Sequence, residues 1–91
     1  MARHIHDNPR FHVAHEEWHD GGWRLISTGD YRSQKLTSRM FNEVVDGYPS
    51  SSQCRARIRL FDMTLTRLLM LTAEHDPGEG WRTSGPWASR V

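Results

Sequence analysis

The chain carries, at residues 54–60, the segment CRARIRL, in which arginines alternate with small or apolar residues. Successive side chains of a β-strand point to opposite faces of its sheet, so this alternation is typical of a strand with one face in a core. A strand here sets Arg55, Arg57 and Arg59 side by side on the other face. We call these three residues the arginine row, and we expect an anionic partner to bind it.

An Asp-Gly pair at Asp20 and Gly21 predicts a β-hairpin in the first third of the chain. This dipeptide is a strong signal for a two-residue type I′ turn, which joins two antiparallel strands. We therefore expect strands over about residues 11–18 and 23–28. The turn sets these cross-strand pairs: Trp18 with Trp23, and Glu17 with Arg24. An aromatic pair and an opposite-charge pair in one register both favour the hairpin.

A helix is predicted over about residues 34–46. Its apolar side chains recur at spacings of three and four residues, which is typical of an amphipathic helix with one side in the core. These residues are Leu36, Thr37, Met40, Phe41, Val44 and Val45. Ser33 can act as the N-cap by accepting a hydrogen bond from a backbone N–H of the first turn. Gly47 follows where a left-handed residue commonly ends a helix, and Pro49 prevents continuation.

The arginine row belongs to a predicted strand over about residues 54–61, and the residues after it allow two interpretations. In the first, a turn at residues 62–64 leads to a last strand over residues 65–72. The resulting pairs are Ile58 with Leu68, Ala56 with Met70, and Arg59 with Arg67. In the second, Asp62 caps a helix over residues 63–75, because the leucines there also keep helical spacing. Periodicity does not separate the two for a short apolar run, and the threonine content favours the strand.

These elements predict an α+β domain in which a β-hairpin, a helix and a second β-hairpin follow one another. The sheet has about four strands, mainly antiparallel, with the helix packed on one face. We divide the chain into a polar lead-in over residues 1–9, one domain over residues 10–75 and an irregular tail over residues 76–91, which contains Trp81 and Trp87. The predicted core consists of Leu36, Met40, Phe41, Val44, Val45, Ile58, Leu60, Leu68 and Met70, completed by Leu25 or Ile26.

Composition narrows the classes of protein that the chain could belong to. The formal net charge is only +1, so affinity for a polyanion has to come from a local patch. The one cysteine, Cys54, cannot form an internal disulfide. Residues 1–20 lack the apolar core of a signal peptide, and no apolar run reaches the roughly 20 residues that span a bilayer. We therefore expect a cytoplasmic protein with no membrane contact and no cofactor; an open sheet edge is also compatible with a homodimer.

Residues His15 to His19 match the HExxH motif of zinc proteases, which needs both histidines on one side of a helix. The preceding residues alternate like a strand, and Asp20 with Gly21 would end such a helix at once. We interpret the match as coincidental and expect no enzyme activity. A metal site in the histidine-rich N-terminal region is the alternative, with His12, His15 and His19 as candidate ligands.

A non-catalytic binding module is the function that these features favour. The candidate binding residues are Arg55, Arg57, Arg59, Arg67, Trp81 and Trp87. Arginine binds phosphate through two parallel hydrogen bonds, and both arginine and tryptophan stack on bases. The expected partner is nucleic acid, or the acidic surface of a protein that handles nucleic acid. The alternative is an inhibitor or adaptor of the phage or mobile-element type, which binds a host protein through its tryptophan surfaces.

Overall fold

The computed structural model describes residues 10–49, 51–64 and 66–88, so the predicted lead-in over residues 1–9 lies outside the described part. Within these ranges the chain is an α+β fold with one helix and a five-stranded antiparallel sheet. The elements in chain order are β1 (Phe11–His19), β2 (Gly22–Tyr31), α1 (Gln34–Asp46), β3 (Ala56–Asp62), β4 (Leu68–Asp76) and β5 (Gly80–Ser84). The helical structure in the described residues falls short of the length and apolarity needed to cross a membrane.

The strand order across the sheet is β2-β1-β3-β4-β5, and every neighbouring pair is antiparallel. The prediction of four strands is therefore wrong, because the segment 76–91 contains β5 instead of being irregular throughout. Pro77 and Gly78 form the turn into β5, in which the Glu79 N–H donates to the Asp76 carbonyl oxygen at 3.0 Å. Glycine and proline in this segment mark the ends of a short strand, a pattern that looks the same in sequence as an irregular tail.

The first hairpin forms as its turn chemistry predicts. Asp20 and Gly21 both have positive φ, at 51° and 83°, as a type I′ turn requires. The predicted pairs, Trp18 with Trp23 and Glu17 with Arg24, are both present. The second strand runs further than predicted, to Tyr31, and the register shifts near its middle. Beyond that shift, toward Tyr31, the side chains of β2 point to the opposite face from the one that simple alternation predicts.

Helix α1 has the predicted limits, and Ser33 caps it by accepting a hydrogen bond from the Leu36 N–H at 3.1 Å. The prediction for its C-terminal end is wrong. Gly47 has φ −73°, which is right-handed, and its N–H donates to the Val44 carbonyl oxygen at 3.0 Å. The helix therefore ends by a tightened last turn, and Pro49 then prevents further helix without a left-handed residue.

The segment after the arginine row is a strand, as favoured, but its register differs from the prediction. Strand β4 starts at Leu68 because the connection from β3 takes residues 63–67, not a three-residue turn. The observed pairs are Ile58 with Ala73, Ala56 with His75, and Arg59 with Thr72. Asp62 does not cap a helix: its carboxylate accepts from the Thr64 backbone N–H at 2.9 Å and stabilises the turn instead.

The core lies between α1 and one face of the sheet. It is formed by Phe11, Val13, Phe41, Ile58, Leu60, Leu71 and Ala73. Four residues predicted to be in the core are exposed instead: Leu25, Ile26, Leu36 and Leu68. Leu25 pairs with Glu16 and therefore lies on the face away from the helix, and the longer β3–β4 connection puts Leu68 at the start of its strand. Met40, Val44, Val45 and Met70 are partly buried against the core.

Candidate functional site

The sheet face opposite α1 collects the polar and aromatic side chains of the strands. By register, β1 contributes Glu16 and Trp18 to this face, and β2 contributes Trp23 and Leu25. Strand β3 contributes Arg57, Arg59 and Phe61, with Arg55 just before it. Thr72 and Glu74 come from β4, and Arg82 comes from β5. We call this surface the open face, since helix α1 packs against the other face, where Phe41 contacts the core. The predicted separation is confirmed: the arginine row projects together, while Ala56, Ile58 and Leu60 are buried on the helix side.

Glu16 lies at the centre of the open face and joins two members of the arginine row. Its Oε1 accepts from Arg57 Nε at 2.9 Å and from Arg59 Nε at 3.0 Å, and its Oε2 accepts from Arg57 Nη2 at 3.2 Å. The residue is only 8 % exposed. Burial by itself raises the pKa of Glu16, but the hydrogen bonds and positive charges of Arg57 and Arg59 outweigh it, so this pKa lies below its ordinary value.

The shared carboxylate does not use up the binding capacity of the two arginines. A guanidinium carries five N–H donors in a planar fork. Arg57 directs Nε and Nη2 at Glu16, and so does Arg59, whose Nη2 is 2.9 Å from Oε1. In the contacts among the described residues, the outer parts of both forks stay available to a ligand. Both side chains are partly exposed, at 20 % for Arg57 and 33 % for Arg59.

Aromatic rings lie beneath the guanidiniums at the hairpin end of the open face. Trp18 and Trp23 contact each other edge to face, with ring centroids 5.4 Å apart. The Arg55 guanidinium carbon lies 5.0 Å from the Trp18 ring and 5.1 Å from the Trp23 ring, and that of Arg57 lies 4.2 Å from Trp23. Such cation–π contacts hold an arginine against a ring while its N–H edges point outward.

The same arrangement recurs at the other end of β3, around Phe61. The guanidinium carbon of Arg67 lies 4.3 Å from the Phe61 ring, and that of Arg59 lies 5.7 Å from it. Arg67 therefore lies beside the arginine row, although not by the predicted pairing with Arg59; it reaches the open face from the connection before β4. Phe61 is buried. Rings thus contact guanidiniums at both ends of β3.

Carboxylates at the β4–β5 side balance part of this charge. Arg55 Nε lies 3.4 Å from Asp76 Oδ1, and its Nη2 lies 4.0 Å from Glu74 Oε2. Asp76 also pairs with Arg82. Among the described residues of the open face, five guanidiniums (Arg55, Arg57, Arg59, Arg67 and Arg82) stand against four carboxylates (Glu16, Asp30, Glu74 and Asp76), of which Asp30 is paired with His12. Each member of the arginine row has a carboxylate near it, and the group keeps an excess of positive charge.

Trp81 and Trp87, which the sequence grouped with the arginine row, lie on the helix side of the sheet. The Trp81 indole N–H is 3.3 Å from the carbonyl oxygens of Val45 and Tyr48, and its ring centroid is 5.4 Å from that of His75. Trp87 packs against Phe11 at 5.5 Å. Both rings join the tail to the core, on the face away from the arginines.

Trp18 and Trp23 occupy the position beside the arginine row that was expected for the tail tryptophans. Their mutual pairing follows from the hairpin register, but their contact with Arg55 depends on β1 lying next to β3. The Trp18 backbone N–H donates to the Arg55 carbonyl oxygen at 2.9 Å, which holds the two segments together at this end. The chain between β1 and β3 contains a second strand and a helix, so hairpin rules gave no signal for the contact.

The HExxH match is part of β1, where His15 and Glu16 point to opposite faces. The three histidines considered as metal ligands have separate partners: His12 with Asp30 at 2.8 Å, His15 with Tyr48 at 2.8 Å, and His19 with Glu17 at 3.0 Å. In the part of the chain that the structure describes, no group of three or more His, Cys, Asp or Glu could hold a metal ion. His4 and His6 lie outside that part.

A chain of hydrogen bonds that the sequence did not predict runs through Tyr48. The Tyr48 hydroxyl donates to Glu17 and accepts from His15 Nε2, which lies 2.8 Å away. The bond from Tyr48 and that from His19 lower the pKa of Glu17, whereas burial first and Glu17 second raise the pKa of Tyr48. Burial also raises the pKa of the Cys54 thiol. A phenol and a thiol held in their protonated forms are not activated nucleophiles.

No protein-family model, curated protein or solved structure matches the chain. The chain can therefore be classified by its fold: in the described residues it is an α+β domain whose antiparallel sheet is covered on one face by a single helix.

Proposed function

We propose that the protein is a non-catalytic module that binds nucleic acid on its open face. The observation that carries the proposal is that Trp18, Trp23 and Phe61 each contact guanidiniums on one uncovered sheet surface. Proteins that bind unpaired strands combine a positive groove for the backbone with planar groups on which bases stack. Ring-backed guanidiniums supply both, because a guanidinium plane stacks on a base and its edge donates to phosphate.

These features favour a single strand over a duplex. A duplex keeps its base faces stacked within the helix, so planar groups on a sheet have nothing to stack on. The open face offers its rings and guanidiniums along β3, not on an inserted helix or a protruding hairpin that could enter a groove. The proposal assigns binding to Arg55, Arg57, Arg59 and Arg67, with Trp18 and Trp23 in place of the tail tryptophans.

The carboxylates on the open face limit affinity but leave the proposal standing. On the open face the described guanidiniums outnumber the carboxylates by one, and the guanidiniums facing Glu16 retain donors for a ligand. A phosphate backbone brings one negative charge per nucleotide, so binding replaces partial internal pairing with a stronger external one. We expect moderate affinity and weak sequence preference. A protein with these properties would act in the cytoplasm, where nucleic acid is accessible.

The test is a titration of a fluorescently labelled single-stranded oligonucleotide of about 12 nucleotides, followed by anisotropy, over about 50 to 300 mM salt. We expect the logarithm of affinity to fall with the logarithm of salt with a slope of about −2, as for three phosphate contacts on a single strand. Arg59→Ala should weaken binding by about tenfold, the worth of a charged hydrogen bond.

The matched control is Arg39→Ala. Arg39 is exposed on α1, on the other side of the molecule, and its loss changes the net charge by the same amount. If the two variants lose affinity equally, binding follows overall charge and the open face is not the site. Binding that is indifferent to salt would exclude phosphate contacts as its main source.

A second candidate is a protein-docking adaptor or inhibitor, and it is favoured by the exposed apolar rim of the open face. Trp18, Leu25 and Ile26 are exposed next to one another at the β1–β2 edge. Tryptophan and arginine are enriched at the centres of protein interfaces. Capture from lysate, repeated with nuclease, separates the two: a partner retained after nuclease treatment and lost in Trp18→Ala favours docking, and one lost with nuclease favours nucleic acid.

A further inference from the structure

We propose that Glu16 is a positioning residue, which holds Arg57 and Arg59 together as a preformed subsite for one phosphate group of the bound strand. The inference rests on the proposed function. It assigns a binding role to an acidic residue, whose charge taken alone opposes the binding of an anion.

The two arginines converge on a single oxygen atom. Glu16 Oε1 accepts from both Nε atoms, at 2.9 and 3.0 Å. Arg57 and Arg59 are two residues apart in β3, so their Cα atoms are separated by about 6.6 Å along the strand. Guanidiniums at this spacing repel each other and would spread apart into solvent without a shared anion. Glu16 removes the repulsion and brings their forks to a common point.

The same bonds determine which donors face outward. Because Nε and Nη2 of each fork are directed at the buried carboxylate, Nη1 and the outer N–H of Nη2 are the donors left for a ligand. A phosphate group above Glu16 meets donors from both forks and can accept from the two arginines at once. This is the bidentate geometry that distinguishes arginine from lysine as a phosphate ligand.

The subsite is rigid because its charged groups come from β1 and β3, which both lie inside the sheet. Glu16 comes from β1 and pairs directly with Arg57 of β3. Trp23 from β2 supports the Arg57 guanidinium at 4.2 Å. Residues on central strands hold their positions better than residues on loops, and ordered side chains lose less entropy when a ligand binds. Removal of Glu16 would therefore raise the entropic cost of binding.

The first experiment compares Glu16→Gln with Glu74→Gln in the oligonucleotide titration. Both variants remove one negative charge from the open face, but only Glu16 accepts hydrogen bonds from the arginine row. Electrostatics alone predicts tighter binding for both. The positioning role predicts tighter binding for Glu74→Gln and binding about tenfold weaker than wild type for Glu16→Gln, since charge-assisted hydrogen bonds lose their geometry.

A second variant, Glu16→Asp, keeps the charge and shortens the side chain by one methylene. We expect weaker binding at unchanged net charge, because the aspartate cannot reach both Nε atoms. The ¹⁵Nε–¹Hε NMR signals of Arg57 and Arg59 report the clamp directly. In Glu16→Gln and Glu16→Asp both signals should move and broaden, while in Glu74→Gln they should stay as in the wild type. Urea unfolding of each variant verifies that the fold is retained.

The outcomes separate this inference from the proposed function. If the wild type does not bind the oligonucleotide, the proposed function is wrong. If the wild type binds and Glu16→Gln binds as tightly as Glu74→Gln or more tightly, only the positioning role is wrong. A loss of affinity in Glu16→Gln that persists unchanged in an Arg57→Lys, Arg59→Lys background also overturns it, because an effect that acts through these arginines must be non-additive with their replacement.

Discussion

His75 is a fully buried histidine that fixes the loop leading into β3, and its exposed fraction is 0 %. Its Nδ1 lies 2.8 Å from the Cys54 carbonyl oxygen, and its Nε2 lies 3.1 Å from the Pro49 carbonyl oxygen. The Pro49 oxygen also accepts from the Ser52 N–H at 2.8 Å, so of the two carbonyls it is that of Cys54 that depends on His75 among the described contacts. Tyr48 and Trp81 pack against the ring at 5.9 and 5.4 Å, so the site is closed by aromatic contacts.

We predict that His75→Leu lowers the free energy of unfolding by about 1–3 kcal/mol. Leucine fills most of the space, but it removes the donor to the Cys54 carbonyl oxygen, at about 1–3 kcal/mol for a buried group, while the Pro49 oxygen keeps its hydrogen bond from Ser52. Urea denaturation measures the loss. Glu79→Ala, at an exposed turn position, is the control and should change stability little. A loss no larger than that of the control would show that the Cys54 carbonyl finds another donor.

At the residue scale the sequence predicted the arginine row but not its partners. Alternation over seven residues was enough to put Arg55, Arg57 and Arg59 on one face. The identity of the anion between them depended on which strand lies beside β3, and that strand is β1, distant in the chain. Glu16 was read as part of an HExxH motif for the same reason: its neighbours in sequence are histidines, whereas its neighbours in space are arginines.

The connection from β5 to the last turn crosses closely over β4 at Gly85. This residue has φ 102°, and a Cβ atom added to it would lie 2.9 Å from the Met70 carbonyl oxygen. That oxygen accepts the Trp87 N–H at 2.9 Å, which brings Trp87 onto the core. The close approach therefore allows the tail to pack against the sheet.

We predict that Gly85→Ala lowers the free energy of unfolding by about 1–3 kcal/mol, because alanine is strained at this φ and its methyl group meets a backbone oxygen that cannot move away. Trp87 fluorescence should shift to longer wavelength if the turn detaches. Gly22→Ala is the matched control: its added Cβ has no atom within 4 Å. Equal stability of the two variants would contradict the importance of the contact.

Elements were predictable where local chemistry fixes them and not where distant pairing does. The Asp20-Gly21 turn and the Ser33 cap act within a few residues, and the structure has both as predicted. The β3–β4 register depends on the length of a connection with no turn dipeptide, and residues 63–67 proved longer than expected. Strand β5 gains its stability from pairing with β4, so its five residues carried little signal of their own.

The whole molecule is a sheet with one face in a core and one face in solvent. The helix side buries the apolar residues of β1, β3 and β4, while the open face is built from charged pairs and rings. A one-sided sheet of this kind was predictable from alternation and from a single amphipathic helix. Stability is therefore coupled to the titration of groups on both faces, and it must depend on pH.

Stability should fall in mild acid because of His15. Burial lowers the pKa of His15 from 6.5, and the Glu17 charge opposes this effect only in part. The unfolded chain then binds a proton more readily than the folded one, so stability rises with pH in this range. The contribution of His15 is fully present above about pH 6.5 and is lost as pH falls through its lower folded pKa. His15→Gln should flatten the free energy of unfolding between about pH 7.5 and 5.5, the range around an ordinary histidine pKa.

A second loss of stability should follow as the pH falls below the ordinary pKa range of carboxyl groups. The pKa values of Glu16, Glu17 and Asp62 are all lowered in the fold, so each stabilises the native state above its unfolded pKa and stops doing so as pH falls through the folded one. Urea unfolding across the pH range should thus show two steps. Tyr48→Phe removes a hydrogen bond from Glu17 and should reduce the lower step, because that bond is the largest cause of the Glu17 shift. If the free energy of unfolding stays constant down to about pH 4, below the ordinary histidine range, the histidine step is wrong. The packed state would then not require a neutral His15.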